Sequence, residues 1–364
     1  VRACEAVAID HGMPEEEVQV KVGSIILATG YNTLDPTPMK PFGYGVYPNV
    51  FTALEFERLS NATGPTGGKI LIRDEDGALT RSPRSVALLH CIGSRDVNYH
   101  EYCSRVCCMY ALKYTHLIKE KVGRDTNVYD FYIDMRCFGK GYEEFYRRCQ
   151  EEGTIFIRGR VAEITDQAIR SEEKGKLIAI AEDTLLGRRV RVPVDMVVLC
   201  TAIEARHDAG KVGRLFGVNQ GADGFFLEEH PKLGPLNTAT DGVFLAGCCQ
   251  KPMDIPDTVS QASGAAAKAL SLATLGKVEV PPTISWIDPD ICIGCQVCIG
   301  LCPYGAIEFN ERTGVSEVNP AVCKGCGSCS GFCPSDAARS RHFKSEQIFA
   351  EIDGIMDAIV KVGR

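Results

Sequence analysis

Two stretches near the end of the chain, DICIGCQVCIGLCP at 290–303 and AVCKGCGSCSGFCP at 321–334, share one cysteine spacing. Each reads Cys-x2-Cys-x2-Cys-x3-Cys-Pro. Three cysteines at intervals of three on a tight loop bring their sulfurs to three corners of one iron–sulfur cube. The fourth lies too far along to close the same cube and ligates the neighbouring cluster. The spacing therefore assigns Cys292, Cys295, Cys298 and Cys333 to one [4Fe–4S] cluster, and Cys323, Cys326, Cys329 and Cys302 to a second. Pro303 and Pro334 turn the chain away after each crossing cysteine. Zinc sites usually pair two Cys-x2-Cys units without the closing Cys-Pro, so zinc and disulfides fit less well. Such a module moves electrons one at a time.

Working outward, the 364 residues allow two or three domains, with 45% hydrophobic and 24% charged residues, as in ordinary globular proteins. The net charge is −7 and the basic residues are not bunched, which argues against nucleic acid or an anionic membrane as partner. No apolar stretch is long enough to span a bilayer. Of the 18 cysteines, at least the eight above are better used on iron than in disulfides, and no signal peptide is seen. The expectation is a reducing cytoplasm. The opening VRACEAVAID at 1–10 is similar to the segment Cys302-Pro-Tyr-Gly-Ala306-Ile307-Glu308 that follows a closing cysteine. Cys4 is then either the last ligand of a cluster completed from upstream or another polypeptide, or a free cysteine near a frayed end.

Ahead of the cysteine runs, continuously apolar strands alternate with helices. Strands are expected at 18–28, 85–90, 127–134, 195–201 and 242–246, with shorter ones between 154 and 191. Helices are expected from a capping box at Thr52–Glu55, then at about 102–121, 142–152 and 257–274. This alternation means an α/β fold with a largely parallel sheet. Residues 277–283 read as a linker. A last helix at 345–362 carries Ile348, Ile352, Ile355, Met356 and Ile359 at helical spacing, a packing face on this protein or a partner.

Three segments resemble the two-dinucleotide-binding-domain flavoproteins, the class of thioredoxin reductase. Ile25–Gly30 (IILATG) looks like a strand end passing the cofactor, with Ala28, Thr29 and Gly30 as candidate contacts. Asp195–Ala202 (DMVVLCTA) resembles the return strand to the flavin domain. Thr240–Gly247 (TDGVFLAG) resembles the second flavin motif, whose following helix aims its amino end at the flavin. Cys248 stands where that class has an Asp, so with Gly247 and Cys248 the polar contact is expected from the loop at 251–257, at Asp254 and Ile255. Cys248 and Cys249 are redox-active neighbours or small residues tolerated in a packed turn. The GxGxxG loop for the FAD pyrophosphate is absent from its expected place, and the chain starts beyond it. After the strand at 85–90, CIGSRD at 91–96 keeps only one of the three glycines, which argues against NAD(P)H there. The expected core is thus α/β, of thioredoxin-reductase-like flavoprotein type and incomplete at its N-terminus, followed by an α+β bacterial-type ferredoxin domain. Its parts are a partial FAD-binding segment at 1–83, a degenerate NAD(P)-binding-like domain carrying a cluster at 84–194, a second FAD segment at 195–276, the ferredoxin domain at 277–343 and a terminal helix at 344–364.

Where nucleotide glycines are missing, cysteines stand instead. Cys91 ends a strand; Cys103, Cys107 and Cys108 lie at the start of the expected helix, where four thiolates suit a third cube. The alternative is four buried or free cysteines. Cys137, Cys149 and Cys200 read as structural. CIGSRD at 91–96, YCSRVCCMYALK at 102–113, FGKGYEEF at 138–145, GVYPNV at 45–50 and LEFER at 54–58 resemble the A subunits of the heterodisulfide reductase family, of which the chain covers the carboxyl-terminal part. The resemblance implies an FAD and multi-[4Fe–4S] oxidoreductase subunit with a third cluster on Cys91, Cys103, Cys107 and Cys108. It implies electron pairs split from a flavin, toward ferredoxin and toward a disulfide-reducing subunit. It also implies partner subunits, a donor of hydrogenase or formate dehydrogenase type, and a polypeptide supplying the N-terminal half. Lys113 is a candidate for tuning the flavin, or a solvated helix lysine. Competing readings are a multi-cluster wiring subunit without flavin and an NAD(P)H oxidoreductase of glutamate-synthase type.

Overall fold

The computed structural model describes residues 4–6, 8–275 and 282–362. Parts of the opening segment and most of the expected linker at 277–283 lie outside these residues. Seven strands and five helices position the sites: β1 (Ile25–Leu27), β2 (Val50–Thr52), β3 (Ser85–Ile92), β4 (Asn127–Tyr132), β5 (Ile155–Arg158), β6 (Met196–Thr201), β7 (Val243–Leu245), α1 (Ala53–Ser60), α2 (Cys107–Lys121), α3 (Tyr142–Glu151), α4 (Ile255–Leu275) and α5 (Ser345–Val362).

Strands β2 to β6 form one parallel sheet in the order β2-β6-β3-β4-β5. Every residue of β3 and β6 is buried, because both faces of the sheet are covered. On one face Val86, Leu88, Val128 and Val198 pack against Phe56 of α1 and Ala111, Tyr114 and Ile118 of α2. On the other, Ala87, Leu89 and Val197 meet Ile164, Ala179 and Val194 of an antiparallel sheet built from Val161–Thr165, Leu177–Asp183 and Arg188–Val194. The expected capping box is formed: Thr52 Oγ1 accepts the Glu55 N–H at 3.3 Å, and the Glu55 carboxylate accepts the Thr52 N–H at 2.7 Å.

Three details differ from the sequence reading. The strand expected over 18–28 is confined to β1; Val18, Val20 and Val22 are exposed, since among the described residues no strand lies beside them to use their alternation. Helix α2 begins at Cys107, not near 102, because Arg105 is left-handed at φ 59° and cannot continue a right-handed helix. Cys103 therefore stands on the preceding loop, not one helical turn before Cys107. Strand pairing also crosses the division expected at 84 and 195: β2 and β6 lie in the sheet of β3 to β5. A continuously apolar strand reads the same whichever neighbours bury it, so sequence alone did not assign its sheet.

β1 and β7 pair in parallel, Ile25 with Val243 and Leu27 with Leu245, and α4 packs on β7 through Ala265. The cysteine-run module folds from two small antiparallel pairs, Ser285–Ile287 with Ala338–Ser340 and Ile307–Asn310 with Val315–Val318. Two short helices, Val297–Leu301 and Ser328–Gly331, carry the third cysteine of each run. The module is tied to the core by Lys324, whose Nζ lies 3.0 Å from Asp241 and 3.8 Å from Glu229. The apolar stripe of α5 is exposed over Ile348, Ile352, Ile355, Met356 and Ile359.

Candidate metal centres

The two cysteine runs fold into matching loops. In each, a glycine follows the first cysteine by two residues and is left-handed, Gly294 at φ 66° and Gly325 at φ 65°. A Cβ on Gly294 would stand 2.5 Å from the Gly314 carbonyl, and one on Gly325 would stand 2.8 Å from the Thr283 carbonyl. Only glycine fits such a close turn. The turns wrap two small hollows. One is lined by Cys292, Cys295, Cys298 and Cys333. The other is lined by Cys302, Cys323, Cys326 and Cys329. Backbone N–H groups point at the sulfurs: Ala306 donates to Cys302 at 3.3 Å, Ala338 to Cys333 at 3.4 Å and Ser285 to Cys323 at 3.3 Å. Burial raises the Cys333 thiol, but the N–H of Ala338 and the hydrogen bonds of Ser335 and Ala337 outweigh it and hold the thiol below its ordinary range.

The core gathers a third set of thiols. Cys107 and Cys108 open α2 and are buried, as is Cys91 at the end of β3, while Cys103 is half-buried on the loop between. Burial pushes the Cys107 thiol up to about 12, and Cys91, Cys108 and Cys103 add to the rise as neighbouring negative charges. Cys91 is likewise raised by burial, with Cys108 and Cys103 nearby. Four cysteines brought to one strand end and one helix start are the donor set a four-iron cube takes up. No three His, Cys, Asp or Glu side chains among the described residues surround a single metal ion. A cube asks for something else, since each of its cysteines binds a different iron.

Backbone conformation marks the same places. Six non-glycine residues among those described are left-handed: Cys91, Arg95, Arg105, Gln296, Asp336 and His342. The first three lie in the loop that brings Cys91 to Cys103 and Cys107; Gln296 and Asp336 lie in the cysteine-run loops. Strain of this kind persists only where surrounding structure holds it, and it collects at functional sites. At Cys91 it also breaks the strand's two-residue alternation.

Beneath α2, His90 and Asp130 form a buried pair, Nε2 to Oδ1 at 3.0 Å. Burial opposes the charge on His90, yet Asp130 beside it holds the imidazole well above its ordinary range. Beside the ring, the Cys108 thiol donates to the Asp134 carbonyl at 3.8 Å; burial raises that thiol, but the neighbouring His90 outweighs the rise and lowers it. Sequence reasoning missed this pair; a histidine inside the otherwise apolar SVALLHCI was its signal.

The two segments read as flavin contacts meet as neighbours. Ala28, Thr29 and Gly30 leave β1 beside Gly247 and Cys248, which leave β7, and the Ala246 N–H bonds the Leu27 carbonyl at 2.9 Å. Helix α4 starts just beyond. Asp254 caps it, accepting the Asp257 N–H at 2.9 Å on Oδ1 and the Tyr142 hydroxyl at 2.9 Å on Oδ2, so both its oxygens are engaged. Ile255 is exposed, and the Cys248 thiol donates to the Met253 carbonyl at 3.5 Å. The Cys249 thiol is buried against the Leu27 carbonyl at 3.2 Å. Lys113 lies on the outer side of α2, half-exposed, its Nζ 2.9 Å from Glu57. Cys149 and Cys200 are buried in the core and Cys137 is half-buried. Cys4 is half-buried in an irregular segment.

Fold and cysteine loops together define an iron–sulfur protein, an α/β sheet core joined to a two-cluster module. Residues 284–334 match the family model described as a 4Fe-4S dicluster domain. The chain is 50% identical over 96% of its length to the second iron–sulfur A subunit of the CoB–CoM heterodisulfide reductase of Methanopyrus kandleri, covering 53% of that protein. It is 48% identical over 98% of its length to the A subunit of the H(2):CoB–CoM heterodisulfide,ferredoxin reductase of Methanothermobacter thermautotrophicus, again covering 53% of the relative. The iron–sulfur A subunit of the CoB–CoM heterodisulfide reductase of Methanocaldococcus jannaschii is 47% identical over 99% of this chain and 54% of its own length. Over the stretch it spans, about half the length of these relatives, the chain belongs to the family of heterodisulfide reductase A subunits. Among solved structures, thioredoxin reductase of Lactococcus lactis aligns at 16% identity and a TM-score of 0.42, over 69% of this chain and 66% of that one. No helix among the described residues is long and apolar enough to cross a membrane.

Proposed function

We propose that this chain is the cluster-bearing, flavin-facing half of an iron–sulfur flavoprotein subunit in a heterodisulfide-reductase-type oxidoreductase. The observation that carries the reading is the sorting of the run cysteines around two hollows, with the fourth cysteine of each run lining the other run's hollow. In this reading Cys292, Cys295, Cys298 and Cys333 hold one cluster and Cys302, Cys323, Cys326 and Cys329 the next. Cys91, Cys103, Cys107 and Cys108 hold a third. The strand ends at Ala28–Gly30 and Gly247–Cys248, with the amino end of α4, form one wall for FAD.

A bound flavin would supply electron pairs, and each cluster passes single electrons, which is the chemistry such a wire needs. The chain's own residues exclude water around the core thiols and aim N–H groups at the module's sulfurs. We assign the complex the partners that the family's names suggest: other reductase subunits, ferredoxin, and a donor of hydrogenase or formate dehydrogenase type in the cytoplasm. Division of the pair between ferredoxin and a disulfide-reducing subunit is the finer form of the proposal.

The test is the FAD content of the holoprotein after acid release, with the iron on these three sites counted as the iron lost when their twelve cysteines are replaced by Ser. About twelve irons and one FAD are expected, four irons to each cube. About twelve irons without flavin favour a flavin-free wiring subunit instead. About eight irons remove the third cluster.

A further inference from the structure

One side chain joins the third thiol set to the flavin wall. Arg105 lies between Cys103 and Cys107, and its backbone is left-handed at φ 59°. That conformation suits glycine and strains a long side chain. Its backbone N–H donates to the Cys103 sulfur at 3.3 Å, a contact glycine would keep. So the ligand's position does not explain why arginine stands here. The guanidinium does something else: it lies 2.7 Å from Asp257 in the first turn of α4, and 5.2 Å over the ring of Phe138. A few residues on, the Tyr142 hydroxyl donates to Asp254, the cap of the same helix, at 2.9 Å. The cysteine loop and the start of α3 thus converge on the amino end of α4, from two chain regions more than 100 residues away from it in sequence.

A partly exposed ion pair adds little to stability, so the strained arginine is not accounted for by folding alone. We propose that Arg105 is a positioning residue: its bond to Asp257 fixes the third-cluster loop against the flavin-facing end of α4 and so sets the separation across which an electron passes. This rests on the proposed function, in which the four cysteines hold a cluster and this edge faces FAD.

Arg105→Gly tests it without threatening the fold, since glycine relieves the backbone and keeps the N–H. The complex is first assayed for iron and FAD. FAD together with a loss of about four irons on replacing Cys107 by Ser establishes the underlying reading; no loss of iron defeats that reading instead. Given equal content, the variant's third-cluster reduction signal, after flavin reduction, is expected to rise about tenfold more slowly or worse, the scale of loss that displacing a reacting partner brings. Hydrogen–deuterium exchange at residues 255–259 is expected to rise even in cluster-free protein. The charge-swapped pair Arg105→Asp with Asp257→Arg is expected to recover both, because aspartate tolerates a left-handed backbone. A wild-type transfer rate in Arg105→Gly overturns the proposal.

Discussion

At the residue scale, the ligands were legible because cluster chemistry demands cysteine at fixed spacing, and spacing is a property of sequence. Gly294 and Gly325 belong to the same logic, since nothing with a Cβ fits their turns. Cys91, Cys103, Cys107 and Cys108 were singled out by the loss of nucleotide glycines, and the structure places Cys103 on a loop and not on the helix. Cys107→Ser is expected to lower iron by about four per chain and leave the module's spectrum unchanged. His90 and Asp130 were not found, because one buried histidine in a strand carries no pattern. Replacing Asp130 by Ala leaves the imidazole buried and unpaired; a loss of about 3–5 kcal/mol is expected in urea unfolding. Lys113→Met is expected to lower the flavin reduction potential, though Glu57 at 2.9 Å already offsets part of the lysine's charge. An unchanged potential defeats that role.

At the element scale, strands and helices followed local rules wherever a partner was present to use them. The capping box of α1 is an example: Thr52→Ala is expected to cost about 1 kcal/mol, read as a lower urea midpoint with unchanged slope. The segment at 18–24 shows the converse, an alternating sequence with no strand beside it and its valines exposed. In the turn at Ser171–Glu173, between two strands of the antiparallel sheet, Glu173 is held by the Arg191 guanidinium and by backbone N–H groups, which lower its carboxyl from 4.5 to about 2. A carboxyl lowered on folding stabilises the native state above its unfolded value and loses that contribution as pH falls through its folded value. Glu173→Gln is therefore expected to be less stable than the wild type near neutral pH. The difference should shrink between about pH 4.5 and 2. Taking wild type minus variant at each pH cancels the loss of acid-labile clusters from both.

At the scale of the whole molecule, the cysteine-run module meets the core through Lys324, one residue past Cys323, on Asp241, one residue before the turn into β7. Lys324 also lines the hollow of Cys302, Cys323, Cys326 and Cys329, so the contact with the core lies beside that cysteine set. Lys324→Ala is expected to slow electron transfer between module and core without changing iron content; a rate unchanged from wild type would show that the pair does not seat the module. The sequence by itself determined the iron–sulfur character of the module and the α/β character of the core, because cysteine spacing and strand hydrophobicity are local. Only the tertiary structure decided which strands share a sheet, that the strand ends of β1 and β7 meet, and that Arg105 reaches α4. Those depend on neighbours far apart in the chain, and burial on both faces makes every core strand read alike.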